Sequence, residues 1–175
     1  TTLRQAQESL KLTQFSVDHA VEGFFWIGPD ARILHVNDAA CRMLEYTHEE
    51  LLAMTVHDID PNFPPEVWPA YWEELKEKGP LTFESKHWSR TGRVLDTEVT
   101  VNYLQYEGKE YNCAIMRDIG ERKRADAALH ASEERYRALY DETPTMYFTL
   151  APDGMVRSIN RFGAEQLGYR VEELI

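Results

Sequence analysis

Apolar and polar residues alternate along this chain with two periods, and these periods predict its secondary structure. Apolar runs on both sides of the turn at 28–31 predict a β-hairpin over residues 24–36. Later segments alternate with the period of two that strands have, and the segments between them show helical spacing. The predicted helices are 38–44, 48–53 and 65–78, and the predicted strands are 81–88, 94–106 and 109–117. This order indicates an α+β fold with one antiparallel sheet and helices on one of its faces.

Capping residues support the short helices. Asn37 follows the second strand and is placed to cap the helix at 38–44. Thr47 and Glu50 form the spacing of a capping box at the start of the helix at 48–53. Three prolines and several acids make the segment Val56–Pro65 a predicted loop or a short helical turn.

Heptad spacing marks both sides of this α+β segment. It predicts an amphipathic or coiled-coil helix over residues 2–20 and a second one over 121–140. Because the second set includes polar members, we expect its pairing to be weak and adjustable. The heptad positions are Leu3, Ala6, Leu10, Thr13, Val17 and Ala20 in the first helix and Arg122, Ala125, Leu129, Ser132, Tyr136, Leu139 and Thr143 in the second.

An internal repeat appears when the chain is compared with itself at an offset of 123 residues. Phe25–Leu52 then aligns with Phe148–Ile175 without a gap, and the matching pairs fall on turn, cap and core residue types. The chain therefore holds one module and the opening of a second. Since two strands and two short helices bury little apolar area, we expect residues after about 143 to be marginally stable alone. The identical pairs are Phe25/Phe148, Pro29/Pro152, Asp30/Asp153, Asn37/Asn160, Leu44/Leu167, Tyr46/Tyr169, Glu49/Glu172, Glu50/Glu173 and Leu51/Leu174.

Charge and composition exclude several classes of function. The 175 residues include 30 Asp and Glu against 19 Lys and Arg, a net charge of −11, which argues against nucleic-acid binding. No stretch reaches the ~18 apolar residues of a membrane helix, so we expect no membrane insertion here. Cys41 and Cys113 are too few and too far apart for a zinc cluster or a disulfide framework, and as free thiols they favour a cytoplasmic chain.

Five segments then carry a family resemblance. They are Pro29-Asp30 between two strands, Val36–Ala40 leading into a helix, Leu44–Leu52, Arg117–Ala125 and Ser132–Leu139. Together they resemble the PAS family of sensory modules. Arg117–Ala125 is similar to the junction at which the last PAS strand enters a signalling helix, and Ser132–Leu139 is similar to the start of a following PAS repeat. Gly120 stands where the family usually has threonine, so a hydroxyl that would brace the junction is absent.

The resemblance implies a PAS fold. In that fold a five-stranded antiparallel sheet has the strand order 2-1-5-4-3, and a cavity between sheet and helices holds haem, flavin, a small metabolite or nothing. It also implies four parts of the chain. These are an N-terminal amphipathic helix at 1–20, a PAS domain at 21–120, a linker signalling helix at 121–142 and the truncated start of a second PAS domain at 143–175.

The implied function is that of a sensory and dimerisation module in a cytoplasmic signal-transduction protein. Tandem PAS copies joined by such a helix look most like a multi-sensor histidine kinase, with the sensor of a diguanylate cyclase or phosphodiesterase as an alternative parent. We expect a homodimer through the flanking helices. A protein-interaction scaffold without a ligand is an alternative from a different class.

The residues show no catalytic motif. No serine, histidine and carboxylate stand in a recognisable nucleophile motif, and the sequence after His130 is not that of a kinase phosphoacceptor. The resemblance disfavours haem, because haem-binding members usually supply a histidine from the long helix before the third strand and the helix at 65–77 has none. It also disfavours a covalent flavin adduct, because the corresponding segment, residues 55–59, lacks the cysteine that such members have. The cofactor stays unknown. His57, Asp58 and Asp60 have side chains that bind divalent metals, but a solvated loop is the favoured interpretation, so no metal site is predicted.

Two sets of residues are candidates for the sensory site. The pocket, which would take a small apolar or aromatic ligand, is predicted from aromatic residues on the helix at 65–78 and from one face of three strands. In the last strand, Cys113 and Ile115 share one face, and Ala114 and Met116 share the other. Both faces are apolar, so the sequence does not decide which of them lines the pocket. The pocket candidates are Met43, Trp68, Tyr71, Trp72, Phe83, His87, Val99, Val101, Cys113 and Ile115. The relay candidates are Asp118, Ile119, Gly120, Glu121, Leu129, Tyr136 and Leu139.

Overall fold

The computed structural model describes residues 2–175, with the side chains at positions 2, 3, 6, 9 and 10 excepted. The predicted heptad positions Leu3, Ala6 and Leu10 therefore lie outside the described residues. The chain forms two compact units, and the boundary falls between Glu121 and Arg122.

The elements follow the predicted order closely. The first unit contains α1 (Thr2–Asp18), β1 (Gly23–Ile27), β2 (Ile33–Val36), α2 (Asp38–Leu44), α3 (His48–Leu52), α4 (Val56–Ile59), α5 (Trp68–Lys78), β3 (Leu81–Trp88), β4 (Val94–Tyr106) and β5 (Lys109–Asp118). Helix α6 (Gly120–Glu142) follows, and then β6 (Phe148–Leu150), β7 (Val156–Ile159), α7 (Arg161–Leu167) and a 3-10 turn at Val171–Glu173.

The first unit has one five-stranded sheet in the order β2-β1-β5-β4-β3, and every neighbouring pair is antiparallel. This confirms the predicted α+β class and strand order. The first and last strands of the unit are neighbours, with Phe25 opposite Ala114. Helices α2 to α5 contribute to a single buried apolar cluster with the inner face of the sheet, and Leu44, Leu51 and Leu75 in it are fully buried.

The predicted caps form. The Asn37 side chain accepts a hydrogen bond from the backbone N–H of Ala40, and Thr47 with Glu50 makes both bonds of a capping box. Helix α4 begins where the sequence predicts a loop or a short helical turn, and there the Asp58 carboxylate accepts from both the backbone N–H and the hydroxyl of Thr55. Across residues 2–175, no helix combines the length and apolarity needed to cross a bilayer.

The second unit repeats the local geometry of the first. Strands β6 and β7 pair antiparallel, and Asn160 caps α7 as Asn37 caps α2. Two positions with left-handed backbone also recur at the offset of 123. Ala31 corresponds to Gly154 and Glu45 to Gly168, and all four residues have a positive φ. A glycine adopts a positive φ without a Cβ clash, so the second copy has the less strained turn residues.

Candidate functional site

A cavity lies in the first unit between the sheet and helices α4 and α5. Its volume is about 40 Å³, whereas one water molecule requires roughly 10–15 Å³. Drug-sized ligands occupy roughly 300–1,000 Å³, so this cavity fits a molecule of a few heavy atoms and does not fit a haem or a flavin. The lining residues are Phe25, Ile27, Val56, Ile59, Asp60, Phe63, Trp68, Tyr71, Phe83, His87, Val99, Val101, Asn112, Ala114 and Met116.

The structure brings together only part of the predicted pocket set. Trp68, Tyr71, Phe83, His87, Val99 and Val101 line the cavity. Met43 and Trp72 do not, and this corrects their assignment. Met43 packs on the outside of the buried cluster from α2, and the ring of Trp72 faces Trp68 and Tyr103, with centroids 5.9 and 6.2 Å away.

The inner face of β5 is the opposite of the one assigned. Asn112, Ala114 and Met116 are buried and line the cavity, while Cys113 and Ile115 alternate to the other face of the sheet. The antiparallel register with β1 and β4 fixes this parity, because Ala114 lies opposite both Phe25 and Val101 on the inner face. Cys113 and Ile115 are therefore removed from the pocket set.

Aromatic rings form one wall of the cavity. The Phe63 ring lies 4.8 Å from that of Tyr71 and 5.4 Å from that of Phe83, centroid to centroid. Trp68 is 5.0 Å from Tyr71, and its indole N–H donates to the carbonyl oxygen of Pro29 at 2.8 Å. This bond ties α5 to the turn between β1 and β2. Phe63 was missed because it stands among prolines and acids without strand or helix periodicity.

The polar end of the cavity is built around Asp60, which is 2% exposed. Its carboxylate accepts hydrogen bonds from the Ser85 hydroxyl at 2.7 Å and from the backbone N–H of Asn62 at 2.9 Å. The prediction of a solvated loop is therefore wrong for Asp60. His57 faces elsewhere, with its Nδ1 2.5 Å from the carbonyl oxygen of Phe63. The sequence signal that could have revealed this burial is the polar inner position at Ser85 on β3.

His87 stands beside this carboxylate. Its Nδ1 lies 2.8 Å from the Thr97 hydroxyl oxygen, which is also 3.1 Å from the Ser85 carbonyl oxygen. Its Nε2 lies 3.6 Å from an Asp60 carboxylate oxygen. Burial holds the pKa of His87 below its ordinary value, although Asp60 acts in the opposite direction.

This lowered pKa predicts a pH dependence of stability. The unfolded chain takes up a proton on this histidine near pH 6.5, and the folded chain resists it. The contribution to the free energy of unfolding is therefore complete above about pH 6.5 and is lost as the pH falls toward the folded pKa. Urea titrations at a series of pH values should show the decline in the native chain and a shallower one in His87→Asn.

The matched control for this experiment is His130→Asn, since His130 is exposed on α6. It should retain the decline of the native chain. Equal slopes for the native chain and His87→Asn would mean that His87 does not resist protonation.

A second polar pair lies on the same cavity. Asn112 donates from Nδ2 to the Tyr71 hydroxyl oxygen at 2.9 Å, and burial raises the pKa of that phenol. Asn112 is 1% exposed, and its Oδ1 has no hydrogen-bond partner among the described residues. A buried amide oxygen without a donor is costly to the folded state.

The junction after β5 is tied to the sheet. The backbone N–H of Ile119 donates to the Asp96 carbonyl on β4 at 2.9 Å, and the Ile119 side chain is buried. Asp118 accepts from the backbone N–H of Gly120 at 2.8 Å, which begins α6. The backbone of Ile119 is thus bonded to β4, and the Asp118 side chain bonds the backbone of Gly120 at the start of α6.

A buried asparagine ties the preceding helix to the domain in each copy. Asn37 donates from Nδ2 to the carbonyls of Val17 at 2.7 Å and Glu22 at 3.0 Å, and its Oδ1 accepts from Phe24 and Ala40. Asn160 makes the same four bonds at positions 123 residues later, to Tyr140, Thr145, Tyr147 and Gly163. The sequence predicts only the capping bond of Asn37.

Helix α6 presents an apolar stripe to solvent. Leu129, Tyr136 and Leu139 are 61%, 68% and 63% exposed, and none of the residues of α6, all of which the structure describes, is buried. Their spacing places them on the predicted heptad seam. The relay candidate Glu121 lies in the first turn of α6, where its negative charge interacts favourably with the helix dipole.

Comparison with known proteins identifies the family. A family model described as a PAS domain matches residues 21–121, and a second with the same description matches residues 134–175. The chain belongs to the PAS domain family. A PAS domain from a two-component sensor histidine kinase has a similar crystal structure, with 33% identity and a TM-score of 0.57 over 65% of this chain and 98% of that one.

Two curated relatives are sensors or kinases. The chain is 32% identical over 109 residues to the methyl sulfide methyltransferase-associated sensor of Methanosarcina acetivorans, covering 61% of this chain and 11% of the relative. It is 24% identical over 146 residues to sporulation kinase E of Bacillus subtilis, covering 82% of this chain and 19% of the relative. The chain thus spans a small part of these relatives, and its PAS domains resemble those of histidine kinases.

Proposed function

We propose that this chain is the sensory and dimerisation part of a cytoplasmic multi-sensor histidine kinase. A PAS domain at 21–120 binds a small ligand or a partner, the linker helix at 121–142 pairs with its copy in a homodimer, and residues 143–175 begin a second PAS domain. The resemblance to PAS domains of sensor histidine kinases supports this parent. The observation that carries the proposal is the exposed heptad stripe of α6, which follows β5 after a single residue.

The bond between Ile119 and β4, just before α6, supports a relay into this helix. A change in the cavity moves α5 against the sheet, and β5 passes the change through Ile119, whose N–H is bonded to β4. Signalling needs two arrangements that are close in energy, and a seam with polar members such as Ser132 is not locked in one register. The pairing register of α6 then differs between the two states.

A double substitution tests the pairing. Leu129→Asp with Leu139→Asp places charges on the seam and should convert the dimer of the 175-residue chain to a monomer in sedimentation equilibrium, because burying unpaired carboxylates is costly. Ala127→Asp with Ala138→Asp adds the same charge to exposed α6 positions off the seam and should leave the dimer intact. A dimer that survives the seam substitutions would contradict the proposal.

A ligand-free interaction scaffold is the second candidate, and the small cavity favours it. A cavity of about 40 Å³ leaves little room for a metabolite. Mass spectrometry of gently denatured protein purified from cells separates the two, since a retained small molecule supports the sensor and its persistent absence supports the scaffold.

A further inference from the structure

The Phe63 ring lies between two spaces in the first unit. One is the buried cavity of about 40 Å³, and the other is a surface groove of about 380 Å³ between α5 and the edge strand β3. Among the described residues, those that line both spaces are Phe63, Tyr71 and Phe83. These three rings separate the cavity from the groove, so the movement of one of them would join the two spaces.

The movable member of this group is Phe63, because the other two rings lie on α5 and β3. Phe63 belongs to the segment 60–67, which is outside the helices and strands. The backbone there is fastened, since Asn62 donates from Nδ2 to the Ser85 hydroxyl at 2.9 Å and the Phe63 carbonyl oxygen lies 2.5 Å from Nδ1 of His57. The Phe63 side chain is only partly buried. Rotation about its own side-chain bonds therefore turns the ring toward the groove without unfolding the segment.

The place that the Phe63 ring occupies is surrounded by aromatic groups. Its centroid lies 4.8 Å from that of Tyr71, 5.4 Å from that of Phe83 and 6.4 Å from that of Trp68. The Tyr71 and Trp68 rings meet it edge to face, and such pairs stabilise a ring beyond the burial of its area. A ligand ring that takes this place after Phe63 turns away makes the same contacts, so Phe63 marks the chemistry of the ligand.

Volume and charge narrow the ligand class. A benzene-sized molecule needs a cavity of roughly 150 Å³, which the buried cavity alone does not offer, but the departing Phe63 ring adds the space of one six-membered ring. The lining includes the acids Asp60 and Glu74, and none of the described residues that line either space is a lysine or an arginine. His87 is neutral at neutral pH, because burial lowers its pKa. An anionic ligand would therefore be repelled.

We propose that the cavity and the groove form one site for a neutral, single-ring aromatic molecule, which enters between α5 and β3 when the Phe63 ring turns away. Phe63 is then an internal competitor, since its ring fills the ligand's place in the closed state and binding costs the free energy of moving it. Tyr71 and Trp68 belong to α5, so the exchange of rings acts on the helix from which the proposed relay begins. This ligand class rests on the proposed sensory function of the domain.

The decisive probes are benzyl alcohol and benzoate, because they share one ring and differ in charge at neutral pH. Binding to the 175-residue chain is titrated by saturation-transfer NMR on the ring protons. We expect benzyl alcohol to bind at least about tenfold more tightly than benzoate. It should also bind at least about threefold more tightly than cyclohexylmethanol, which has a saturated ring of the same size. Equal binding within either pair, or no binding of benzyl alcohol, overturns the proposal.

Substitutions of Phe63 test its role as a competitor. Phe63→Ala removes the ring and should raise the affinity for benzyl alcohol by about tenfold or more, because the ligand no longer displaces it. If that variant does not fold, Phe63→Leu keeps an apolar plug without ring contacts and should raise the affinity by about threefold. Phe148→Ala makes the same change at an exposed position of β6 and should bind as the native chain does. Unchanged affinity in the folded Phe63 variants contradicts the proposal, and so does binding that appears only in Phe63→Ala, since it would report a void made by the substitution.

Ala70→Trp tests the route of entry. Ala70 is exposed on α5 and lines the groove, so an indole there fills the space into which Phe63 turns and leaves the core packing unchanged. Benzyl alcohol binding should weaken by about tenfold. Ala127→Trp makes the same change at an exposed position of α6 and should have no effect. Unchanged binding in Ala70→Trp would exclude the groove from the site.

The seam substitutions on α6 keep this site and the relay apart, because they report on pairing and not on the cavity. A native dimer that does not bind benzyl alcohol rejects this ligand class alone. A monomeric native chain that binds it, with the expected gain in Phe63→Ala, rejects the relay alone.

Discussion

Trp68→Ala is expected to lower the free energy of unfolding of the first unit by about 4 kcal/mol. Trp68 is 5% exposed, and its ring lies against Phe63, Tyr71 and Trp72. The substitution leaves a large void and removes the donor to the Pro29 carbonyl, which fastens α5 to the turn after β1. Urea unfolding followed by circular dichroism measures the loss.

Two further tryptophan substitutions show how much of this loss comes from the indole N–H and how much from the burial of the ring. Trp68→Phe keeps an aromatic ring but loses the indole N–H, so it should cost about 1–2 kcal/mol. Trp88→Ala removes the same side chain from a site on β3 that is 53% exposed and should cost less than about 1 kcal/mol. A loss at Trp68→Ala no larger than that at Trp88→Ala would mean that α5 is not held by this contact.

The order and bounds of the elements follow from local patterns. The strand predicted at 94–106 is β4 itself, and the helix predicted at 38–44 is α2, because period, caps and turn residues agree there. The helix predicted from residue 65 begins at Trp68, since Pro64 accepts a bond from Val67 in a turn before it. Local chemistry therefore predicts the fold well.

The cavity was less predictable because it depends on long-range pairing. Both parities of β5 are apolar, and only the pairing with β1 and β4 places Ala114 inside and Cys113 outside. Asp60 stands in an acidic, proline-rich segment without periodicity, and its hydrogen-bond partner Ser85 is 25 residues away. The alternation of β3 places Ser85 on the inner face, which indicates a buried polar partner but does not identify it as Asp60.

The second large effect is expected at Asn37, a fully buried amide with two donor and two acceptor bonds. Asn37→Ala should lower the free energy of unfolding by about 4 kcal/mol, because four backbone groups lose a partner and each net bond is worth about 1 kcal/mol. Urea unfolding followed by tryptophan fluorescence reports on this unit, which contains all four tryptophans. Asn102→Ala, at an exposed position on β4, should change stability by less than about 0.5 kcal/mol.

Asn37→Asp separates the two roles of this side chain. The carboxylate still accepts from Phe24 and Ala40, so the cap of α2 survives, but it has no N–H for the Val17 and Glu22 carbonyls and repels them. Amide hydrogen exchange should therefore rise at the end of α1 and much less at α2. Equal exchange in both places would show that the asparagine does not fasten α1.

Asn160→Asp is the matching change in the second copy. It removes the N–H that donates to the carbonyl oxygen of Tyr140 in α6. Exchange should rise over the last turn of α6, while the first turn, which Asp118 caps at Gly120, keeps its protection. Because α6 begins at the last strand of one PAS copy and ends on the asparagine of the next, this result would show that one helix is fastened separately at each end. Unchanged exchange near Tyr140 would mean that Asn160 caps α7 and does nothing for the helix that precedes it.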